Sequence, residues 1–200
     1  MSTRTAVSVP RTGRGRFAAG LWLAVLAGAA LAPASVSAQL HAEVRGGLTV
    51  GSHSASAAAL DIAPAMSFDV VVKRQMMPSL AIFGGFFRTS FGCEEGFCRD
   101  RDIMVVGNHG ALGAEWSGGV PWVRAGLLFG TTEAGTEGEA PEAGMGFHAA
   151  AGLSVGSGRF RFLPGVSYRW LSASTASASD RAVALTLDLG FGIRISGGVP

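Results

Sequence analysis

The residues best suited to chemistry are few in this chain: four histidines (His41, His53, His109, His148), two cysteines (Cys93, Cys98) and one lysine, Lys73. Nucleophilic hydrolysis needs a base, an orienting acid and an oxyanion donor held together. The nearest approach is His53-Ser54, but neighbours on a strand leave on opposite faces, and nothing specifies the full set. Lys73 is followed by Arg74, not by Ser or Thr after a glycine-rich turn, so there is no phosphate loop. Two cysteines make only half a zinc site, and the nearest histidine, His109, lies on the following strand. The stretch Thr131–Gly144 carries Glu133, Glu137, Glu139 and Glu142 without the Asp/Gly spacing of a calcium loop, and reads as solvated loop. The expectation is a protein that is not an enzyme, with no catalytic residue, metal or cofactor.

The charged residues are more informative, because they sit at alternate positions of apolar segments. Ala182–Ile195 is the clearest case: Val183, Leu185, Leu187, Leu189, Phe191, Ile193 and Ile195 alternate with Ala184, Thr186, Asp188, Gly190, Gly192 and Arg194. Period-two alternation specifies a strand. Its length is more than twice the usual five or six residues and suits a tilted strand crossing a bilayer, which needs about 9–11. The same pattern gives seven further strands: Gln39–Gly51, Ala59–Lys73, Ser79–Phe91, Asp102–Trp116, Pro121–Gly130, Met145–Val155 and Phe160–Leu171. Pro64 marks a weakly paired spot in the second, since proline lacks a ladder donor. In the third, Ala81, Phe83, Phe87 and Phe91 oppose Gly84, Arg88 and Ser90, with Leu80, Ile82 and Phe86 blurring the arginine face. Adjacent Asn108 and His109 in the fourth require a bulge near Gly107 or Gly110 if both are to avoid lipid.

The connections alternate in character. RQMMP, SGGV and GSGR are tight, whereas SHSASAA, GCEEGFCRDR, the acidic stretch and SASTASASDR are longer and polar. That is up-and-down barrel topology with short turns at one mouth and long loops at the other. The polar faces then carry Glu43, Arg45, Asp61, Asp69, Lys73, Arg88, Arg124, Arg161, Arg169, Asp188 and Arg194 towards the lumen, with His41 and His148. An eight-stranded lumen is just wide enough for its own side chains, and a lone buried charge is costly. The expected site is therefore a lumen charge network of Glu43, Arg45, Asp69, Arg88, Arg124, Arg169, Asp188 and Arg194. Trp116, Trp122, Tyr168 and Trp170 lie near strand ends, as interfacial girdles do.

The first 38 residues read as a secretory signal peptide: four arginines without an acid, an apolar run from Phe17 to Leu31, and Val36-Ser37-Ala38 before the cut at Gln39. The remaining 162 of 200 residues form one domain, 39–200. Removing the leader takes four of the 16 basic residues and none of the 14 acidic ones, leaving a net charge of −2 and no nucleic-acid footprint. Glycine at 30 of 200, with no apolar helical run of bilayer length after the leader, fits a closed barrel. In an oxidising compartment the four-residue spacing of Cys93 and Cys98 predicts an intraloop disulfide, stabilising by about 2–3 kcal/mol.

On strand pattern, turn alternation and the final strand, Gln39 to Ile195 resembles the small eight-stranded bacterial outer-membrane barrels of the OmpA-domain and OmpX type. Asp188-x-Gly190-x-x-Ile193-x-Ile195 is similar to the C-terminal assembly signal of that class. The resemblance implies a monomer exported to the cell outer membrane of a Gram-negative bacterium. Its partners would be outer-membrane lipid, lipopolysaccharide and the barrel assembly machinery. The expected function is structural or surface-interactive, with a plugged polar lumen. The alternatives are a narrow anion-preferring pore lined by arginines, and a soluble periplasmic lipocalin-like cup with the faces reversed. Maleimide labelling of the denatured, unreduced protein tests the disulfide: no label is expected until a reductant is added, after which two thiols react.

Overall fold

A computed structural model describes residues 39–53, 64–92, 104–135, 142–175 and 178–196. The leader, Asp61, Cys93 and Cys98 lie outside these residues. Eight strands are present: β1 Leu40–His53, β2 Ala65–Met77, β3 Leu80–Gly92, β4 Met104–Ser117, β5 Pro121–Gly135, β6 Glu142–Leu153, β7 Phe160–Thr175 and β8 Ala178–Ser196. Each pairs antiparallel with the next, and β1 pairs with β8, so the sheet closes on itself. The fold is an all-β, closed eight-stranded up-and-down barrel, as the alternation predicts.

The register sets the barrel's proportions. Following paired residues from Ala42 through Val72, Gly84, Leu112, Leu127, Phe147, Trp170 and Val183 returns to β1 at Ser52, ten residues along. With strands about 4.8 Å apart and about 3.4 Å per residue, that stagger tilts the strands by roughly 40°. Every residue on this path has the outward parity. Leu187, Phe191 and Phe160 are each more than two-thirds exposed, whereas Thr49, Leu128 and Ala184 on the inner face are fully buried.

Several boundaries and one face differ from the sequence reading. β2 begins at Ala65, directly after Pro64, because proline has no N–H to extend the ladder. At its other end β2 runs on to Met77, so the turn is Pro78-Ser79 rather than RQMMP, and Gln75 braces it by donating to the Met77 carbonyl at 2.6 Å. β7 and β8 extend as a hairpin that pairs Ser172 with Arg181 and Thr175 with Ala178, consuming most of the expected loop. β4 is paired without a bulge to both neighbours, which sends His109 inward and Asn108 outward.

β3 is the reversal. Ala81, Phe83, Phe87 and Phe91 face the lumen, and Ile82 and Phe86 face outward. Phe83 lies over Gly113 and Gly126, which are paired across β4 and β5. A Cβ at Gly126 would come within 2.9 Å of the Phe83 ring and 2.8 Å of the Leu112 carbonyl. Ring and bare backbone together fill the space that two ordinary side chains would overfill. Gly126→Val is expected to destabilise the barrel by about 1–3 kcal/mol through overpacking. Phe83→Ala is expected to cost about 3–5 kcal/mol through the cavity it leaves. Urea unfolding of the lipid-embedded barrel measures both.

Candidate functional site

The lumen is an enclosed polar environment among the described residues, and its charges arrive from six strands. β1 contributes Glu43 and Arg45, β2 Asp69 and Lys73, β4 Glu115, β5 Arg124, β7 Arg169 and β8 Asp188. Each sits at an inward position of an alternating strand, so local pattern alone aims it at the axis.

These eight residues form three groups. In the first, Lys73 bridges Glu43 and Glu115, with its Nζ 2.5 Å from Glu115 Oε1. Arg124 closes the same square, donating through Nη2 to Glu43 at 2.5 Å and through Nε to Glu115 at 3.0 Å. In the second, Arg45 pairs with Asp188, its Nε donating to Oδ1 at 3.0 Å. In the third, Arg169 grips both Asp69 oxygens through Nη2 at 2.7 and 2.6 Å and donates through Nη1 to Thr89 at 2.7 Å. Four bases thus meet four acids, satisfying the requirement that charges removed from water be paired.

Each guanidinium also lies on an aromatic ring. Arg45 is 4.3 Å from the centre of Trp122, Arg124 is 4.9 Å from Phe83, and Arg169 is 5.1 Å from Phe87. A cation over a ring face gains on the order of 1–2 kcal/mol when desolvated. This contact explains the inversion of β3, whose phenylalanines are the platforms for the lumen arginines. A hydroxyl cluster completes the polar side: Thr49 donates to Ser67 at 2.6 Å and lies 2.8 Å from Thr186, while Ser67 accepts the Ser90 N–H at 2.9 Å. Towards the long-loop mouth the filling turns apolar, with Phe87, Phe91, Val105, Leu128, Leu171 and Ala182 in one buried cluster. The lumen is therefore polar over part of its length and apolar towards the long-loop mouth.

The structure thus brings together Glu43, Arg45, Asp69, Arg124, Arg169 and Asp188 of the expected network. It adds Lys73, already placed inward by pattern, and Glu115, which the sequence reading missed. Glu115 was detectable, since it shares its parity with His109 and Gly113 on β4. Two expected members are corrected. Arg88 faces outward between inward Phe87 and Thr89, and donates to Asn108 Oδ1 at 3.4 Å. Arg194 keeps lumen parity but lies at the short-turn mouth, where among the described residues it makes no ion pair.

Of the assembly-signal residues, Asp188 is committed to Arg45, Gly190 lies against the aliphatic stem of Arg45, and Ile195 is exposed on the outer face. His41 and His148 are buried on the lumen side as predicted. His148 packs edge-on to Phe87 at 4.8 Å with neither ring nitrogen partnered, and His109 meets Thr132 at 3.2 Å. Among the described residues no group of three potential metal ligands occurs.

Removing one member of a buried pair leaves its partner charged in a dry place. Asp188→Asn is expected to destabilise by about 3–5 kcal/mol, and the Asp188→Leu, Arg45→Met double replacement by much less. Arg88→Gln is expected to shift stability by less than about 1 kcal/mol, since it breaks no ion pair. Urea midpoints of the three variants check this ranking.

No protein-family model and no curated protein sequence matches the chain. Solved structures do match by shape. The Neisserial surface protein A is 12% identical, with a TM-score of 0.55 over 78% of this chain and 97% of its own. Ail, the attachment invasion locus protein of Yersinia pestis, is 15% identical, with a TM-score of 0.54 over 80% of this chain and all of its own. Each similarity covers nearly the whole of the solved barrel. The chain has the fold of the small eight-stranded outer-membrane β-barrels.

Proposed function

We propose that this protein stands in the outer membrane as a sealed barrel and acts through its outer wall and long loops, in a structural or surface-interaction role. The observation that carries this reading is the filled lumen. Every base of the central network is spent on an acid, and an apolar cluster caps the path towards the long loops. An anion path would need free arginines along the axis. A soluble ligand-binding cup would need the opposite faces, yet the outer wall carries exposed leucine, valine and phenylalanine.

The reading extends to export and assembly. Residues 1–38 act as a cleaved signal peptide, and the last strand, with Ile193 and Ile195, is read by the barrel assembly machinery. The outer wall is covered by lipid, and by lipopolysaccharide near the long loops. The short turns face the periplasm, as in barrels of this architecture. The surface and attachment roles named for the two similar proteins support a surface role here. The barrel works as a monomer, because closure leaves no strand edge to pair with a second copy.

Membranes from cells expressing the full chain test the proposal. The protein is expected in the outer-membrane fraction, with a gel mobility that changes on boiling, and to give no steady conductance steps in planar bilayers. Recovery as a soluble periplasmic protein, or well-defined open channels, would overturn it.

A further inference from the structure

Charge in this chain is sorted along the barrel axis. The central network is neutral, with four bases and four acids. The four long connections with their adjoining strand ends hold ten acids against three arginines. The three short turns carry no acid.

At the short-turn mouth one side of the lumen wall is basic. Arg161 of β7, Arg194 of β8 and His41 of β1 hold inward positions on three strands that are neighbours in the closed sheet. Arg161 shares its parity with Leu163 and Arg169, Arg194 with Asp188, and His41 with Glu43 and Arg45. Arg194 pairs across the ladder with His41, and Arg161 pairs with Gly192, the next inward position before Arg194. Gly192 therefore sits among the three and adds no side chain there. A Cβ at Gly192 would meet the tip of Leu163 at 3.2 Å and the stem of Glu43 at 3.5 Å, which bound the space from within. Leu163 is buried with Trp122 and Ala150, and Arg45 and Arg124 lie over the Trp122 ring, so the space is blind.

No acid balances this group. Glu43 and Glu115, the carboxylates at this end of the lumen, have all four oxygens paired with Lys73 and Arg124. Among the described residues neither Arg161 nor Arg194 makes an ion pair, and the Arg194 Nε is buried without an acceptor. Arg161, Arg194 and Lys73 all act on His41 through their charge. Like charges at neighbouring sheet positions repel, and a buried donor without an acceptor is costly. An anion held among these side chains relieves both.

We infer that Arg161, Arg194 and His41 line a blind anion site in the short-turn mouth of the lumen, which takes a phosphate group as inorganic phosphate or a small monoester. Planar guanidinium forks donate in pairs to phosphate oxygens, and a histidine ring adds a further N–H. The three residues face the lumen, so the ligand enters from solution at that mouth. Arg74, of outward parity, and Arg159, exposed in the turn, lie outside the site. The inference needs the closed barrel and leaves its lumen sealed.

The test titrates inorganic phosphate into the barrel, purified from expressing cells into maltoside micelles, at constant ionic strength. Heteronuclear NMR follows the arginine Nε–H signals. Those of Arg161 and Arg194 are expected to shift together and to saturate, with half the effect at about 1 mM phosphate. Glycerol phosphate, a monoester, is expected to act alike. R194Q is expected to weaken binding about tenfold, R161Q/R194Q to abolish it and R161K/R194K to restore part of it. R159Q, which removes an exposed arginine of the same mouth, is expected to change nothing. The absence of a saturable shift in the wild type overturns the inference whatever the variants do. So do equal shifts with chloride, an equal loss in R159Q, or the same shifts in phosphatidylglycerol nanodiscs free of soluble phosphate. Heat-shifted mobility, measured on each variant, shows that a loss of binding is not a loss of the barrel.

Discussion

A strand in hydrocarbon has no water to satisfy its edge, and an unpaired backbone group there costs several kcal/mol. The seam between β1 and β8 removes that cost. It pairs the whole of β1, from Leu40 with Ser196 to His53 with Ala182. Once the seam exists, the strand number and the ten-residue stagger determine tilt and radius together. The lumen is then a volume the chain must fill with its own side chains.

The chain fills that volume with arginines sandwiched between carboxylates and rings. A guanidinium has two kinds of surface, a donor edge and a flat face, and each is satisfied by a different partner. Arg124 shows both: its edge serves Glu43 and Glu115, and its face lies on Phe83. Such packing leaves little room at the facing wall. Glycines stand where a ring or guanidinium approaches the backbone, as at Gly126 under Phe83 and at Gly165, where a Cβ would lie 2.7 Å from the Arg45 Nη2. The polar network and the glycine content are two sides of one packing solution.

The outer wall obeys a simpler rule, an apolar side chain at every second position, and its exceptions are located where they cost least. Arg88 shares its outward site with Asn108, to whose Oδ1 it donates. Neutral centre, acidic loops and basic turns follow from this sorting of charge by depth.

Alternation is local, so the sequence by itself determined the strands, their number and the orientation of β1, β2, β5, β6, β7 and β8. It named Glu43, Arg45, Asp69, Arg124, Arg169 and Asp188 as inward charges because each has apolar neighbours of opposite parity. It failed on β3, where both faces are apolar and hydrophobicity cannot tell lipid from lumen: only the arginines stacked from β5 and β7 make Phe83 and Phe87 interior. Partner choice was likewise invisible. Arg124 and Glu43 are 81 residues apart and meet because closure and stagger bring β5 and β1 face to face across the axis. Parity is written in neighbouring residues; which charges meet across a lumen is decided by the register of all eight strands at once.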